Sequence, residues 1–295
     1  MKHISLLIGL LLISGNIIAQ NDKLIPVFDQ TKSFFNASYV GESEHLKFTT
    51  TGFYYIPQVH FKSISPTPKD SRKFSVELSS PVYKKNNHKL SIGGFHSYQN
   101  IEHFYYELHP QLQTQISRIN LAYVYSKDHR SISLGGSLNH TSFKTDLIGL
   151  NLGLVKDRYY NTGFGISYKS SLNNFTMGIA FNDVIEHKSL IPNSSHEYTR
   201  SVRHLYINSG IDFQFGKNLV VTPSILVMKS SIYSASGVLL FTYKKHFNLG
   251  TSYEGIYDRF GLRIGYTGNK LGIHYVYSPP LSKVLPMYPG EHSFA

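Results

Sequence analysis

The sequence is 295 residues long and carries 29 Lys and Arg against 18 Asp and Glu, which gives a net charge of +11. It contains no Cys, so a disulfide framework and a thiolate metal site are both excluded. Charged residues make up 16% of the chain, below the roughly 25% of ordinary soluble domains. The 22 Tyr, 19 Phe and 23 Gly are typical of strands and of aromatic girdles at membrane interfaces. Composition therefore favours a β-rich chain with much of its surface in lipid.

The first twenty residues have the layout of an export signal. A positively charged start precedes an apolar run over residues 4–13, and Ala19 provides a small residue at a cleavage site. The apolar run is shorter than the roughly 20 residues that a membrane-spanning helix needs. The pattern predicts a secretory signal peptide over residues 1–19, followed by a single domain over residues 20–295.

After this leader, short segments of alternating hydrophobicity follow one another. Successive side chains of a strand point to opposite faces, so a period of two gives each strand one apolar and one polar face. The first candidate strands cover residues 45–55, 73–79, 89–98, 116–127, 131–140, 147–155, 159–169 and 175–181.

The clearest alternation lies between Ser201 and Tyr277. Six runs have apolar residues at one parity: Leu205, Ile207, Ile211, Phe213 and Phe215; Leu219, Val221, Ile225 and Val227; Leu239, Phe241 and Tyr243; Phe247, Leu249 and Tyr253; Phe260, Leu262, Ile264 and Tyr266; Leu271, Ile273, Tyr275 and Tyr277. The opposite parity holds Ser, Asn, Gly, Thr and His, which suit water better than a second packed core. The pattern predicts a sheet with one apolar and one hydrated face.

The connections between these strands have two lengths. Short turns at residues 127–130, 171–174 and 216–218 contrast with longer stretches at 57–70, 99–115, 183–200 and 278–289. Outer-membrane barrels combine short periplasmic turns with longer external loops, and lipid requires every backbone group to be paired. The sequence therefore predicts an all-β fold, an antiparallel transmembrane β-barrel of the outer membrane with about 14 strands. A β-sandwich or a propeller would need a second apolar surface or blade motifs, and neither is found.

The charged residues do not form a nucleic-acid-binding pattern. Basic residues are scattered, with small groups at Lys84-Lys85, Lys244-Lys245 and residues 127–130, where charge would end a membrane-crossing strand. Neither a basic helix nor an RNP-like aromatic motif accompanies them, so nucleic acid is not an expected partner. Attraction to anionic membrane lipid or to an acidic protein explains the charge more simply. The acidic residues Glu44 and Asp183 are expected to be solvated.

Catalytic and metal-binding motifs are weak. The 15 His residues are spread along strand ends and loops, and no His-x-x-x-His pair with a nearby Glu appears, so no metal and no cofactor are predicted. Asn139-His140 close to Ser142 is the nearest approach to a barrel-embedded hydrolase, but a triad is defined by geometry and not by sequence neighbours. We therefore predict no enzymatic activity. Two classes remain, a pore for small solutes and a scaffold that holds other proteins.

Four segments of the chain resemble motifs of the PorP/SprF family of outer-membrane proteins. Asn36-Ala37-Ser38-Tyr39-Val40-Gly41 is similar to the Asn-Pro-Ala-Tyr-Ala-Gly signature near the mature start of that family. Arg203-His204-Leu205-Tyr206 with the later Pro223-Ser224 is similar to its Arg-His-Tyr-Tyr and Pro-Ser segment, and residues 260–266 resemble its penultimate strands. Gly290-Glu291-His292-Ser293 is similar to its terminal Gly-Ser-His-Glu. The matches cover nearly the whole mature chain in the order of the family.

The chain also departs from the family pattern. Ala37 and Val40 stand where the signature has Pro and Ala, and Glu291 and Ser293 exchange the Ser and Glu of the terminal motif. The sequence stops at Phe294-Ala295, where the family usually continues through a last alternating strand.

The resemblance implies a role in type IX secretion and gliding motility in Bacteroidetes. It implies a barrel that docks on periplasmic ring proteins of that system and anchors or helps deliver a secreted surface protein, such as an adhesin. A general diffusion porin or uptake channel is the alternative. The residues implied to have structural or partner-binding roles are Asn36, Tyr39, Gly41, Arg203, His204, Tyr206, Gly290 and His292. The basic, Tyr-rich stretches at 99–115 and 183–200 are the expected partner contacts, because loops on a rigid barrel usually carry recognition.

Overall fold

Seventeen β-strands and two short helical elements make up the described chain in a computed structural model, which describes residues 31–55, 67–104, 111–147, 153–185, 187–190, 197–201, 203–230, 233–255, 259–268, 271–278 and 291–294. The helical elements are α1 (Lys32–Phe35) and a 3-10 helix (Ala37–Glu42). The strands are β1 (Lys47–Tyr55), β2 (Thr67–Lys85), β3 (His88–Phe104), β4 (Gln111–Lys127), β5 (Arg130–Leu147), β6 (Gly153–Ser170), β7 (Phe175–Asn182), β8 (His187–Leu190), β9 (Glu197–Ser201), β10 (His204–Ile211), β11 (Phe213–Phe215), β12 (Leu219–Lys229), β13 (Tyr233–Tyr243), β14 (Phe247–Glu254), β15 (Arg259–Thr267), β16 (Gly272–Ser278) and β17 (Glu291–Phe294).

The described strands form a sheet that closes on itself. Each pairs antiparallel with its neighbour from β1 to β7, β7 pairs with β10, and β10 pairs with β12. The order continues to β17, which pairs with both β16 and β1, so that Phe294 lies opposite Tyr275 on one side and Gly52 on the other. Because β11 continues β10 and the β8–β9 hairpin stands apart, the described wall has 14 strands. The predicted antiparallel barrel is confirmed.

The sequence predicted the correct number of strands, but it included one strand that does not exist and missed another. Residues 147–155 are not a separate strand, because Leu147 ends β5, residues 153–155 begin β6 and Leu147 pairs with Gly153, while residues 148–152 lie outside the described residues. In its place, the wall is completed by β17, which the alternation did not predict. The predicted loop 99–115 is also too long, since β3 continues to Phe104 and β4 begins at Gln111.

Most apolar side chains of the wall point outwards, and most inward side chains are polar, although Leu226, Met228, Val238 and Val276 form a buried apolar cluster with residues of α1. Ile119 in β4 is 61% exposed, whereas the next residue, Asn120, is 1% exposed. The same contrast holds in β15, where Leu262 is 62% and Arg263 is 3% exposed. This arrangement reverses that of a soluble protein and fits a barrel whose outer face contacts lipid. Among the described residues, no helix has both the length and the apolar character needed to cross a membrane.

The hairpin connections at one end of the barrel are short, and we call this the short-turn end. Several of its turns contain a residue with positive φ, at Asn86 (51°), Asp128 (53°), Asn174 (47°) and Gly216 (64°). Asn, Asp and Gly tolerate this left-handed conformation, which tight antiparallel hairpins require. The sequence thus encodes tight turns at this end. At the opposite end, β1 ends at Tyr55 and β16 ends at Ser278.

The wall of the barrel is not of even height. Strands β2 to β6 have 17 to 19 residues, whereas the strands from β12 to β16 have 7 to 11. On β5 the outward apolar positions end at Leu138, and His140, Ser142 and Lys144 follow on the same face. Since about 10 tilted residues cross the hydrocarbon core of a bilayer, the ends of β2 to β6 away from the short turns extend beyond that core.

Pro223 lies inside β12, although proline cannot donate a ladder hydrogen bond. The partner strand is interrupted at this level, where β10 ends at Ile211 and β11 starts at Phe213. Asp212 between them accepts a hydrogen bond from Thr222 Oγ1 at 2.7 Å. The missing N–H of Pro223 therefore coincides with a break in the ladder.

Candidate functional site

The N-terminal part of the described chain lies inside the barrel. We call residues 31–42, which contain α1 and the 3-10 helix, the plug. Of residues 31–41, all except Lys32 are buried, and the 3-10 helix packs on the inner face of β2 to β6. The plug contains Asn36, Tyr39 and Gly41 of the predicted signature, so this motif has a place in the lumen.

Asn36 holds the plug on the wall. Its Oδ1 accepts hydrogen bonds from the Ser38 backbone N–H at 3.0 Å and from Ser38 Oγ at 2.7 Å, which caps the 3-10 helix. Its Nδ2 donates to the carbonyls of Ile166 in β6, at 3.1 Å, and Ile179 in β7, at 3.3 Å. Asn36 is fully buried, so these bonds satisfy polar atoms that water cannot reach.

Glycines in the wall allow the plug to lie directly on the strand backbone. A Cβ atom at Gly135 would lie 2.5 Å from the carbonyl carbon of Ala37 and 2.6 Å from Cα of Ser38. A Cβ atom at Gly165 would lie 2.8 Å from Cγ of Asn36. Real Cβ atoms do not approach other atoms this closely, so both positions exclude a side chain while the plug is in place.

Tyr39 joins the plug to β10, the strand next to β7 in the wall. Asn208 in β10 donates a hydrogen bond from Nδ2 to the Tyr39 hydroxyl oxygen at 2.6 Å. Burial raises the pKa of the Tyr39 hydroxyl, so it stays neutral. The Ser38 carbonyl accepts a hydrogen bond from Ser133 Oγ at 2.7 Å, which fixes the same turn to β5.

The Phe34 ring is held between cationic and aromatic groups of the wall. The Arg118 guanidinium lies 4.9 Å from its centroid and Lys73 Nζ lies 5.8 Å from it, within reach of cation–π attraction. The Phe95 ring lies 4.8 Å away. Arg118 Nη1 also donates a hydrogen bond to the Phe34 carbonyl. Arg118 therefore contacts both the ring and the backbone of the plug.

Phe35 connects the plug with His204 and Tyr206, which belong to the second family-like motif of the sequence. Its ring lies 5.2 Å from Tyr206, and Tyr206 stacks on His204 at 5.8 Å with an interplanar angle of 9°. His204 Nδ1 lies 3.3 Å from Oδ2 of Asp183. Asp183 is buried, so the expectation that it is solvated was wrong. The structure thus brings the Asn36 motif together with His204 and Tyr206.

The other signature residues do not join this cluster. Arg203 is exposed, and its Nε donates a hydrogen bond to the Val184 carbonyl oxygen at 3.1 Å. Arg203 therefore contacts the backbone that follows β7. His292 belongs to β17, where it pairs with Tyr54 in β1 and Tyr277 in β16. Gly290 lies outside the described residues.

The chain leaves the lumen at the short-turn end, beside Glu44. The carboxylate accepts hydrogen bonds from Lys84 Nζ at 2.7 Å and Lys89 Nζ at 2.6 Å. The bonds from Lys84 and Lys89 lower the pKa of Glu44 to about 2. Glu44 is half exposed, as expected for a solvated charge, and its two partners fasten the plug exit to the β2–β3 hairpin.

Two polar cavities of about 200 and 250 Å³ flank the plug near this end, and Glu42 and Lys169 border both. Within the described ranges, no group of three or more His, Cys, Asp or Glu side chains could hold a metal ion. Alternation puts Asn139 inside the barrel and His140 on the outer face, 4.9 Å from the Tyr160 ring. The hydrolase-like pattern is therefore divided between the two faces of β5, because Asn139 faces the lumen whereas His140 and Ser142 lie on the outer face.

Sequence reasoning missed the residues that receive the plug, chiefly Arg118, Gly135, Gly165 and Asn208. Gly135 and Gly165 share the inward parity of their strands, and such inward glycines are the signal that could have revealed a second backbone inside the barrel.

Solved structures similar to this chain are outer-membrane barrels. The chain aligns with the TodX deltaS2S3 mutant monoaromatic hydrocarbon channel at a TM-score of 0.56 and 13% identity, over 88% of this chain and 91% of that chain. It aligns with the Ralstonia pickettii toluene transporter TbuX at 0.55 and 10%, over 88% and 90%, and with the Pseudomonas putida toluene transporter TodX at 0.51 and 14%, over 88% and 89%. At these identities, the likeness concerns the fold. No curated protein matches the chain.

The closed wall, its lipid-facing apolar residues and these neighbours define the class, an integral β-barrel of the outer membrane. The sequence model of the family described as "Type IX secretion system membrane protein PorP/SprF" matches residues 138–294, more than half of the chain. The chain belongs to the PorP/SprF family and is a membrane component of the type IX secretion system.

Proposed function

We propose that this barrel is a scaffold that docks on the periplasmic ring of the type IX system and anchors or helps deliver a secreted surface protein. The observation that carries this proposal is the plug, which occupies the lumen and is held by hydrogen bonds to β5, β6, β7 and β10. A lumen filled in this way favours a holding role over a diffusion role. No catalytic step is part of the proposal.

The short-turn end is the proposed docking face. Short turns of outer-membrane barrels face the periplasm, so this end would meet the ring. Its turns carry Lys127, Lys217, Lys244 and Lys245, all exposed. Such a basic rim would attract an acidic surface on a periplasmic protein.

This docking face can be tested by removing charge without disturbing the wall. The triple variant Lys127→Gln, Lys217→Gln, Lys245→Gln, which we call the short-turn variant, keeps three exposed polar side chains. Tagged wild-type and variant barrels are purified in mild detergent, and the ring proteins that copurify are quantified. We expect a clear loss of ring proteins with the variant. Equal recovery from both barrels, with equal amounts of folded barrel, would reject this docking face.

The cargo is proposed to contact the opposite end. The ends of β3 and β4 and the strands β8 and β9 lie there, so the predicted contact stretches 99–115 and 183–200 include residues of these strands. Unrelated sequence is therefore grafted only into residues 105–110 and 191–196, and cargo display at the cell surface is measured. Reduced display supports the proposal, whereas unchanged display contradicts it.

An uptake channel is the alternative function. The similar solved structures are described as a hydrocarbon channel and toluene transporters, although at 10 to 14% identity they support the fold only. Planar-bilayer conductance separates the two functions. A plugged scaffold should pass little ion current, whereas a large and steady conductance of the wild-type barrel would favour the channel.

A further inference from the structure

Three cationic side chains lie together on the outer face of the long strands β2 to β6, which we call the tall wall. Lys144 in β5 is the direct cross-strand partner of Lys156 in β6, and Arg158 is the partner of Ser142 in the next outward pair. All three cations are exposed. Asp157 lies between two of them in sequence, but alternation directs its side chain to the other face of the sheet.

The three cations lie directly above the lipid-facing band. Below them on the same face are Tyr160, 64% exposed, and Leu138, 51% exposed. The distance from Ile132 near the short-turn end up to Lys144 corresponds to roughly 28 Å across the membrane, at ~3.3 Å per residue and a tilt of ~45°. That is close to the thickness of the hydrocarbon core, so the cations lie at the level of the lipid headgroups.

The pairing of Lys144 with Lys156 is unfavourable by itself. Like charges directly opposite each other on a sheet repel, and Arg158 adds a third charge one pair away. Among the described residues, none of the three cations forms an ion pair. An anion bound between them would turn this repulsion into attraction, and Ser142, beside Arg158, and Gln115, which pairs with Ser142, could add hydrogen bonds.

We propose that Lys144, Lys156 and Arg158 bind the phosphate groups of a phosphorylated glycolipid, of the lipid A type, in the outer leaflet. The patch is continuous with a surface that already contacts acyl chains, so a lipid can fill both parts at once. The aromatic ring of Tyr160 at the boundary is typical of residues at the membrane interface. The site fixes the height and rotation of the tall wall in the membrane.

The experiment compares two matched triple variants. In the outer variant, Lys144→Gln, Lys156→Gln and Arg158→Gln remove the three cations, and the short-turn variant defined above serves as the control. Each full-length barrel is placed in phosphatidylcholine nanodiscs that contain diphosphoryl lipid A or its dephosphorylated form. The mole fraction of lipid A in the nanodiscs is varied, and native mass spectrometry measures how many lipid A molecules each barrel retains. Heat-modifiable gel migration verifies that each variant is folded.

We expect the outer variant to bind diphosphoryl lipid A roughly 100-fold more weakly than wild type, since each cation near an anionic surface contributes about a factor of five. The short-turn variant should bind as wild type does, and dephosphorylated lipid A should bind weakly to all three barrels. Equal affinity of the outer variant and wild type would overturn the proposal, and so would equal weakening in both variants. Loss of a copurifying acidic protein with unchanged lipid A retention would show that the patch binds protein instead.

Discussion

At the scale of single residues, close packing between plug and wall makes the inward glycines sensitive positions. Gly135→Ala places a methyl group against the backbone of Ala37 and Ser38, which cannot move aside like a flexible side chain. We expect the plug to leave its position or the barrel to lose about 3 kcal/mol of unfolding free energy. Hydrogen exchange of residues 31–42 measures the first outcome, and urea unfolding in detergent measures the second.

The control for this variant is Gly94→Ala, because a Cβ atom at Gly94 would have no atom within 4 Å. It changes the same residue type in β3, two strands away from β5, without touching the plug. If both glycine variants exchange and unfold alike, the plug does not lie on Gly135 in the membrane.

Asn36 tests the hydrogen bonds of the plug rather than its packing. Asn36→Ala removes both donors to the carbonyls of Ile166 and Ile179 and the cap of the 3-10 helix. Buried carbonyls left without a partner cost energy, so we expect a loss of about 2 kcal/mol in unfolding free energy and faster exchange of residues 37–42. Asn173→Ala in an exposed turn should leave both unchanged. Comparable losses in the two variants would mean that Asn36 does not anchor the plug.

At the scale of elements, the exit of the plug should respond to acid. The pKa of Glu44 is lowered from 4.5 to about 2 by Lys84 and Lys89, so its carboxylate stabilises the folded state above pH 4.5, and the contribution is lost as the pH falls towards 2. Because Glu44 is half exposed, we expect no more than about 1 kcal/mol. The unfolding midpoints of wild type and Glu44→Gln should differ at pH 6 and converge below pH 3. A difference that persists at pH 2 would exclude this ion pair as its cause.

The elements that sequence could predict are those whose signal is local. Alternation revealed the strands from β10 to β16 because lipid and water impose opposite demands on successive residues. It failed at residues 147–155, where the sequence alternation continues from the end of β5 into the start of β6. It also failed for β17, where four residues are too few to show a period.

The plug could not be predicted as an element of the lumen. Residues 31–42 show no strand alternation, and their burial depends on wall residues far away in sequence, such as Ile166 and Asn208. The resemblance to the PorP/SprF signature identified Asn36, Tyr39 and Gly41 as important without locating them. Only the closed barrel reveals that Asn36 and Tyr39 contact the adjacent strands β6, β7 and β10 from inside the lumen.

At the scale of the whole molecule, closure of the barrel depends on the short strand β17 and its pairing with β1 and β16, which we call the seam. The terminal strand β17 has four residues, and these make the described contact between β1 and β16. Lipid offers no hydrogen bonds to an open edge, so each ladder bond in the seam matters more than it would in water.

Ser293→Pro tests this dependence on the seam. Ser293 lies between Phe53 in β1 and Val276 in β16, and proline removes its N–H and fixes its φ. We expect a loss of about 3 kcal/mol or more, seen as a large fraction of barrel that no longer shows heat-modifiable gel migration after refolding in detergent. Ser293→Ala keeps the backbone donor and should refold like wild type. If the proline variant also refolds fully, the barrel is not closed through β17, and another pairing must join β1 to β16.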